Sequence, residues 1–455
     1  MTEAPHQPNL LDLEIRDLSH EGEGIGQSDG RVVFVDGALP GERVEVRLTA
    51  ASRGRMRGEL RQILQASPDR RRPPCILAED CGGCSLQHWQ DSAQSSWKQE
   101  QLQQVLQRIG NIAMPVAPIL RAPQPLGYRN RAIIPLQAGS NGLKAGFYRR
   151  HTHTVVNMNH CPVLDPRLDK LIGPIKRDLI ASEWPAYNEE NRSGLLRHLV
   201  LRLGVSSGEL LIGLVSTDKR LAGLTELAEQ WLARWPELVG VVLNLQPKAV
   251  NTVFGANELL IAGRPWLLER FGDRSFQIGL DTFFQVNTAQ AERLLPLLRQ
   301  ALQLKPGQLL VDAYCGVGTL GLPLLAEGIR LIGIEQHPAS VERAQSNAKL
   351  NGLEQAEFLL GDVDVRLQEV LPFADALLLD PPRKGLLDPV CAAIVAQPPA
   401  RIAYVSCNPA TLARDLARLT ASGELRLESV QPLDFFPQTT HIEALAVLVN
   451  RAVQP

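Results

Sequence analysis

The chain has 455 residues, 44% hydrophobic and 21% charged, which excludes a disordered polymer and leaves room for about three domains of ~150 residues each. Its 47 Lys and Arg nearly cancel its 49 Asp and Glu, so the net charge of −2 by itself points to no polyanionic partner. No apolar run approaches the ~18 residues that cross a bilayer. The opening MTEAPHQPNL lacks the basic and apolar regions of a secretory signal. A reducing cytoplasm is therefore expected, where the seven cysteines serve as metal ligands or nucleophiles rather than disulfides.

The charge is unevenly spread. Residues 1–42 hold nine acids against Arg16 and Arg31, and residues 43–72 hold nine arginines against Glu45, Glu59 and Asp69. Over the same stretch LLDLEIRDLS, EGEGIGQSDG, RVVFVDG, ERVEVRLTA and MRGELRQIL read as about five short strands between glycine turns. A small closed barrel disposes of the edges of so many short strands. The run EGEGIG…GRVVFVDGALPGERVEVR resembles the TRAM domain, an RNA-binding oligonucleotide-barrel module, and residues 1–68 are assigned to it.

Proline-rich SPDRRRPPC then marks a linker into a mixed α+β central domain, residues 69–280. Here CILAEDCGGCSLQHW places Cys75, Cys81 and Cys84 in a C-x5-C-x2-C pattern, and Cys161 follows in NHCPVLD. Four thiolates suit tetrahedral zinc or a [4Fe-4S] cluster, and the spacing does not separate the two. Trp89, Ala93, Trp97, Leu102, Val105, Leu106 and Ile109 fit one face of a helix at about 88–110, expected to pack on the catalytic domain. From Gln101 to Leu164 there is no acid, while Arg108, Arg121, Arg129, Arg131, Lys144, Arg149 and Arg150 are present. Such one-sign charge is the footprint of a phosphate-binding face. LGYRNRA and GFYRRHTH add Tyr128, Phe147 and Tyr148, which would stack splayed bases of single-stranded RNA. LRHLVLRLG, LLIGLVS and LVGVVLNL are strand-like.

From residue 281 strands and helices alternate, as in an open parallel sheet. LLVDAYCGVGTLGLPLL runs from a buried strand through a glycine turn into an expected apolar helix. A second strand, LIGIE, ends in Glu335, placed for ribose hydroxyls; later strands end at Asp362 and Asp380. Gly316, Gly318 and Gly321 also satisfy the dinucleotide-binding spacing G-x-G-x-x-G, so glycines alone do not choose between cofactors. Several carboxylates at one sheet edge, with Asp312 ahead of the loop, suit a cationic ligand such as S-adenosylmethionine better than a pyrophosphate. The segment D-x-x-C-G-x-G-T also resembles motif I of class I S-adenosylmethionine methyltransferases.

RIAYVSCNPATLARDL puts Cys407 between a strand end and the helix opened by Pro409, at the positive end of the helix dipole. Cys391, within PVCAAIVA, reads as a core residue. A thiol beside a methyl donor suggests attack on carbon 6 of uracil, which turns carbon 5 into a nucleophile for the methyl group. A base must then remove the carbon-5 proton, and Glu443, at the start of the last strand in FFPQTTHIEALAVLV, is the candidate.

DTFFQVN, DAYCGVGT, DPPRKG, VSCNP and FFPQTTHIEA, in this order over residues 281–455, resemble the RNA uracil-C5 methyltransferases, and with the barrel and cysteines the chain resembles their ribosomal-RNA branch. The resemblance excludes the nicotinamide reading and implies Cys407 as nucleophile and Glu443 as base. It also implies that Gln285, Tyr314, Thr319, Glu335 and Asp362 bind S-adenosylmethionine, with Asp380 beside cofactor and uracil. For Cys75, Cys81, Cys84 and Cys161 it implies a [4Fe-4S] cluster; a radical enzyme would need C-x3-C-x2-C with one iron open, and a fourth cysteine closes it. The expected product is 5-methyluridine in 23S ribosomal RNA, with transfer RNA as the alternative substrate, made by a monomer with no membrane partner. Cytosine-C5 enzymes carry Pro-Cys where Ser406-Cys407 stands, and amino-methylating enzymes carry an aromatic where Arg383 stands. A purely RNA-binding module would not need Cys407, Asp380 and Glu443 together.

Overall fold

A computed structural model describes residues 10–52, 55–139 and 142–453. The N-terminal residues read above for a signal lie outside this range, as do the side chains of residues 50–55, Arg53 and Arg55 among them. Contacts divide the chain into two compact units. The first takes residues up to 98 with 148–154 and 436–441, and the second takes 99–147, 155–435 and 442 onward.

The first unit is built on a six-stranded sheet of β1 (Leu10–Glu14), β2 (Asp17–Leu18), β3 (Gly24–Ser28), β4 (Arg31–Val35), β5 (Arg43–Ser52) and β6 (Arg55–Gln65), in the order β1-β5-β6-β4-β3-β2. The expected single strand LLDLEIRDLS is two, because the chain changes partner: Ile15 N–H donates to Glu42 O and Arg16 N–H to Ile25 O. Asp29 and Gly30 both have positive φ, the turn that matches the twist of the two-residue β3–β4 hairpin. Leu13, Ile15, Val33, Val35, Ala38, Val44 and Val46 fill the core. At the sheet's end Glu42 is fully buried and accepts from Leu39 N–H (2.8 Å), Ser67 N–H (3.2 Å) and Arg70 Nε (2.5 Å) and Nη2 (2.7 Å).

Helix α1 (Asp91–Gly110) begins in this unit, where Trp89 and Trp97 pack at 6.3 Å with Leu18, Leu39 and Leu86. The segment 436–441 is tied to it. The carbonyl of Gln438 accepts from Ser85 and Leu86 N–H, its side chain bonds Asp91, Gln94 and Arg71, and buried Lys98 Nζ donates to Phe436 O (3.0 Å). From Gln99 onward α1 belongs to the second unit, where Leu102 and Leu106 join the core of the sheet described last.

The second unit contains two large sheets. One comprises β7 (Arg131–Gly139), β8 (Gly142–Ala145), β9 (Leu196–Leu203), β10 (Leu210–Ser216), β11 (Leu238–Leu245) and β12 (Asn257–Gly263), ordered β12-β11-β10-β9-β7-β8 and packed by α2 (Pro166–Ala181) and α3 (Leu224–Arg234). A hairpin of β13 (Trp266–Phe271) and β14 (Arg274–Gly279) leads to α4 (Thr288–Leu302). The other sheet then alternates: β15 (Leu309–Ala313), β16 (Arg330–Glu335), α5 (Pro338–Leu350), β17 (Ala356–Leu360), α6 (Val363–Val370), β18 (Ala376–Leu379), α7 (Asp388–Ala396), β19 (Arg401–Ser406), α8 (Pro409–Thr420), β20 (Leu425–Leu433) and β21 (Glu443–Asn450). Its order is β17-β16-β15-β18-β19-β21-β20, parallel through β19, with antiparallel β21 beside it.

The apolar helix expected after the glycine loop is absent; only a 3-10 turn at Leu322–Leu324 forms there. Pro323 has no N–H to give a helix and Gly318 holds φ +81°, so the run stops after one turn. Among the described residues no helix is long and apolar enough to cross a membrane.

Replacing Glu42 by Ala leaves half-buried Arg70 without its carboxylate, holding only Gly37 O, at a cost of about 3 kcal/mol. Peptides covering β4 and β5 should then exchange amide hydrogens roughly a hundredfold faster than in the wild-type chain. Unchanged exchange would contradict the role given to Glu42.

Candidate active site

Every parallel strand of the seven-stranded sheet delivers its carboxyl end to one edge, and the strand order reverses between β15 and β18, the crevice where such sheets bind ligands. Tyr314 follows β15, Glu335 ends β16, Gly361-Asp362 follows β17, Asp380 follows β18 and Cys407 follows β19. Glu443 reaches the same edge from the opposite direction. Because β21 runs antiparallel with Ala444 opposite Ser406, its first residue lies level with the residue after β19, which is Cys407. The register Ala313–Leu379 likewise sets Tyr314 level with Asp380.

The glycine loop is shaped for a close ligand. Gly316 holds φ +56° with open space where a Cβ would project, and Tyr314 is forced to φ +70°, a strained conformation for a residue with a side chain. Glu335 braces the loop by accepting from Gly316 N–H (3.1 Å) and His337 N–H (2.8 Å). Two buried atoms beside it have no partner within the protein, Asp312 Oδ2 and Thr319 Oγ1. Asp362 occupies the N-cap of α6 without capping it, so its carboxylate stays available. Unsatisfied buried acceptors beside an open glycine loop are what a cationic, hydroxyl-bearing nucleoside would complete. The residues present therefore fit S-adenosylmethionine.

The electrostatics are dominated by burial. Asp312 and Glu443 are 1% and 8% exposed, and both carboxyls are pushed well above the usual range by burial first and then by Asp380. Burial raises Asp380 itself to about 7. Its Oδ2 lies 3.5 Å from Gln285 Nε2, a long contact that nonetheless brings Gln285 to this edge. The thiol of Cys407 is raised to about 11 by burial, then by Glu443 and Asp380, with Arg383 opposing. The helix-dipole argument from sequence anticipated the reverse. Although Asn408 caps α8 by accepting from Ala410 N–H (3.1 Å), desolvation and two carboxyls outweigh that helix end.

All eight residues anticipated for catalysis and cofactor binding thus lie on the sheet edge or, for Gln285 and Thr319, on the loops beside it. Cys391 is buried in the core, as read from sequence. Cys75, Cys81 and Cys84 belong to the first unit and Cys161 to the second. The RNA-facing reading of LGYRNRA is corrected in part: Tyr128 and Asn130, just before β7, are buried, and Arg131 is partly buried, in a strand interior to its sheet and paired with β9. Part of the basic stretch is also neutralised, with Arg149 paired to Asp80 (2.9 Å) and Arg150 to Asp36 (3.6 Å). Arg383 was not assigned a role from sequence, and Asp312 was read only as one of the carboxylates favouring a cationic ligand. Asp312 carried a signal, an acid inside an otherwise apolar strand.

A doubly wound sheet with an open glycine loop and carboxylates along its carboxyl edge defines an S-adenosylmethionine-dependent methyltransferase. Comparison with known proteins agrees. The profile of the tRNA (Uracil-5-)-methyltransferase family matches residues 268–452, and that of the TRAM domain matches residues 10–60. An RNA methyltransferase of Parasynechococcus marenigrum is 48% identical over 447 residues, 97% of this chain and 96% of the relative. One from Synechocystis is 46% identical over 444 residues, again 97% and 96%. The crystal structure of Pyrococcus abyssi tRNA (uracil-54, C5)-methyltransferase in complex with S-adenosyl-L-homocysteine matches with a TM-score of 0.78 at 26% identity, covering 96% of this chain and 99% of that one. The chain belongs to the tRNA (uracil-5-)-methyltransferase family of S-adenosylmethionine-dependent RNA methyltransferases and carries a TRAM domain.

Alkylation of Cys407 by iodoacetamide should rise with pH toward a midpoint near 11, and Glu443→Gln should move that midpoint down by removing a carboxylate. A wild-type midpoint below 9, the ordinary thiol value, would contradict the burial argument.

Proposed function

We propose that the enzyme methylates carbon 5 of a uridine in 23S ribosomal RNA through a covalent adduct on Cys407. The observation that carries this reading is the convergence of Cys407, Asp380 and Glu443 on one edge, each influencing the charge of another. The partly exposed Cys407 thiol gives its proton to solvent and Sγ bonds carbon 6, moving the ring's electron pair to carbon 5. S-adenosylmethionine supplies the methyl group, which carbon 5 takes with departure of S-adenosylhomocysteine. Glu443 in its ionised form then takes the carbon-5 proton, the double bond re-forms, and the Cys407–carbon-6 bond breaks to release the thiolate. Asp380 holds the uracil, while Gln285, Tyr314, Thr319, Glu335 and Asp362 hold the cofactor. Buried carboxyls suit this sequence. Burial holds the Glu443 carboxyl well above the usual range, so once positive charge beside it favours the ionised form, its carboxylate is a stronger proton acceptor than a solvent-exposed glutamate.

Support for the ribosomal branch is the TRAM domain joined to the four cysteines. Within the first unit Cys81 Sγ accepts from Gly83 N–H (3.4 Å), an outer hydrogen bond of the kind that metal-bound ligands receive. We assign Cys75, Cys81, Cys84 and Cys161 to a structural [4Fe-4S] cluster. The work divides among the barrel (1–68), which binds RNA; the central segment (69–280), which holds the cluster and recognises RNA shape; and the sheet (281–455), which carries out the chemistry in the cytoplasm as a monomer.

The test uses 5-fluorouridine-substituted 23S ribosomal RNA and transfer RNA in parallel. With S-adenosylmethionine, a protein–RNA band resistant to denaturation is expected on the ribosomal RNA, since fluorine cannot leave as a proton. Cys407→Ala should form none, and Glu443→Gln should accumulate adduct even on ordinary uridine. An adduct formed by Cys407→Ala would contradict the mechanism, and one confined to transfer RNA would contradict the substrate. Anaerobically purified protein should contain iron and acid-labile sulfide in equal amounts; stoichiometric zinc would refute the cluster.

A further inference from the structure

Gln285 does not belong to the sheet whose edge it serves. It sits on the connection between β14 and α4, so something outside that sheet must fix it. The ends of β7 and β9 in the neighbouring sheet are close at hand. Arg131 and Arg202 are direct cross-strand partners there, two like charges side by side, which is unfavourable unless both are otherwise engaged. Arg202 is 3% exposed and has no carboxylate within 4.0 Å among the described residues. Its Nη1 donates to Gly279 O (2.5 Å), Thr282 O (2.6 Å) and Leu280 O (3.2 Å), three carbonyls of the turn just before Phe283-Phe284-Gln285. Arg131 Nη2 adds a bond to Leu280 O (3.1 Å).

Asn130 grips the other side of the same segment. Its Nδ2 donates to Gln285 O (2.9 Å) and Thr288 Oγ1 (2.8 Å), and its N–H donates to Val286 O (3.0 Å). Its own carbonyl accepts from Leu203 N–H (2.9 Å), the residue after Arg202. One short piece of the β7–β9 pair thus holds the segment 279–288 before and after Gln285. Burying a guanidinium with no acid within 4.0 Å is costly, and this set of carbonyls, with Asp281 and Glu258 acting from further off, offsets the cost.

We propose that Asn130 and Arg202 are positioning residues, which hold the main chain around Gln285 so that its amide faces the cofactor edge beside Asp380. The neighbouring sheet is then a mould for the cofactor loop, and the buried part of LGYRNRA serves catalysis from behind instead of contacting RNA. The inference rests on the reading of Gln285 as a cofactor ligand.

The test is a double-mutant cycle on the full-length protein, reading S-adenosylhomocysteine affinity by calorimetry. Asn130→Ala should weaken binding about tenfold, the worth of one well-placed hydrogen bond. In a Gln285→Ala background the same change should weaken it less than about twofold, because what Asn130 positions is gone. Arg202→Lys, which retains donors to the carbonyls, should bind more tightly than Arg202→Met. If Arg202→Met fails to fold, the Asn130 cycle decides alone. Equal loss in both backgrounds, or no loss from Asn130→Ala when Gln285→Ala itself weakens binding, would overturn the positioning role. No loss from Gln285→Ala would overturn the cofactor assignment of Gln285, and the positioning role with it.

Discussion

Asp312, Asp380 and Glu443 stand at or beside the carboxyl edge of one sheet, enclosed by protein, and none has an ion-pair partner within 4.0 Å among the described residues. Burial is the first cause of the upward shift in each, and mutual repulsion adds to it for Asp312 and Glu443. A protein assembled only for stability would not place three carboxyls this way, since each ionisation in a dry site is opposed by the others. The arrangement makes sense when the missing charge arrives with the cofactor. A sulfonium and an ammonium group brought to this edge supply the positive charge the protein withholds, and the unpartnered Asp312 Oδ2 and Thr319 Oγ1 gain partners. Preference for a cationic nucleoside over a pyrophosphate follows from the same charge.

The surrounding architecture serves that edge. The parallel strands bring Tyr314, Glu335, Asp362, Asp380 and Cys407 to it, and antiparallel β21 brings Glu443 level with Cys407. The β7–β9 pair braces the loop of Gln285 from the neighbouring sheet. In the first unit, the segment 436–441 is held by α1 and by the residues that follow Cys84, and the chain continues from His441 directly into β21.

Much of the site was legible in the sequence because its signals are local. Glycine turns, terminal acids and Asn408-Pro409 each punctuate a strand end within a few residues, so Glu335, Asp362, Asp380 and Cys407 could be placed on one edge without knowing the packing. The three strands of the neighbouring sheet read from LRHLVLRLG, LLIGLVS and LVGVVLNL were local in the same sense. What depended on long-range partners was not legible. Tyr128 read as RNA-facing because an aromatic beside arginines looks alike whether it is buried or exposed, and only its packing in the fold decides. The thiol of Cys407 was assigned the effect of a helix end, whereas its true environment depends on Glu443 and Asp380, which come from other strands. The apolar run after the glycine turn read as a helix, but Pro323 ended it.

By burial this edge holds its carboxyls protonated well above the usual carboxylate range until a cationic ligand comes. Infrared difference titration of the protein against Asp380→Asn, without cofactor, measures it directly. The account requires the Asp380 carboxyl to lose its proton near pH 7, and at lower pH once S-adenosylmethionine is bound. An Asp380 carboxyl that ionises near its ordinary value of 3.8 in the cofactor-free protein would contradict it.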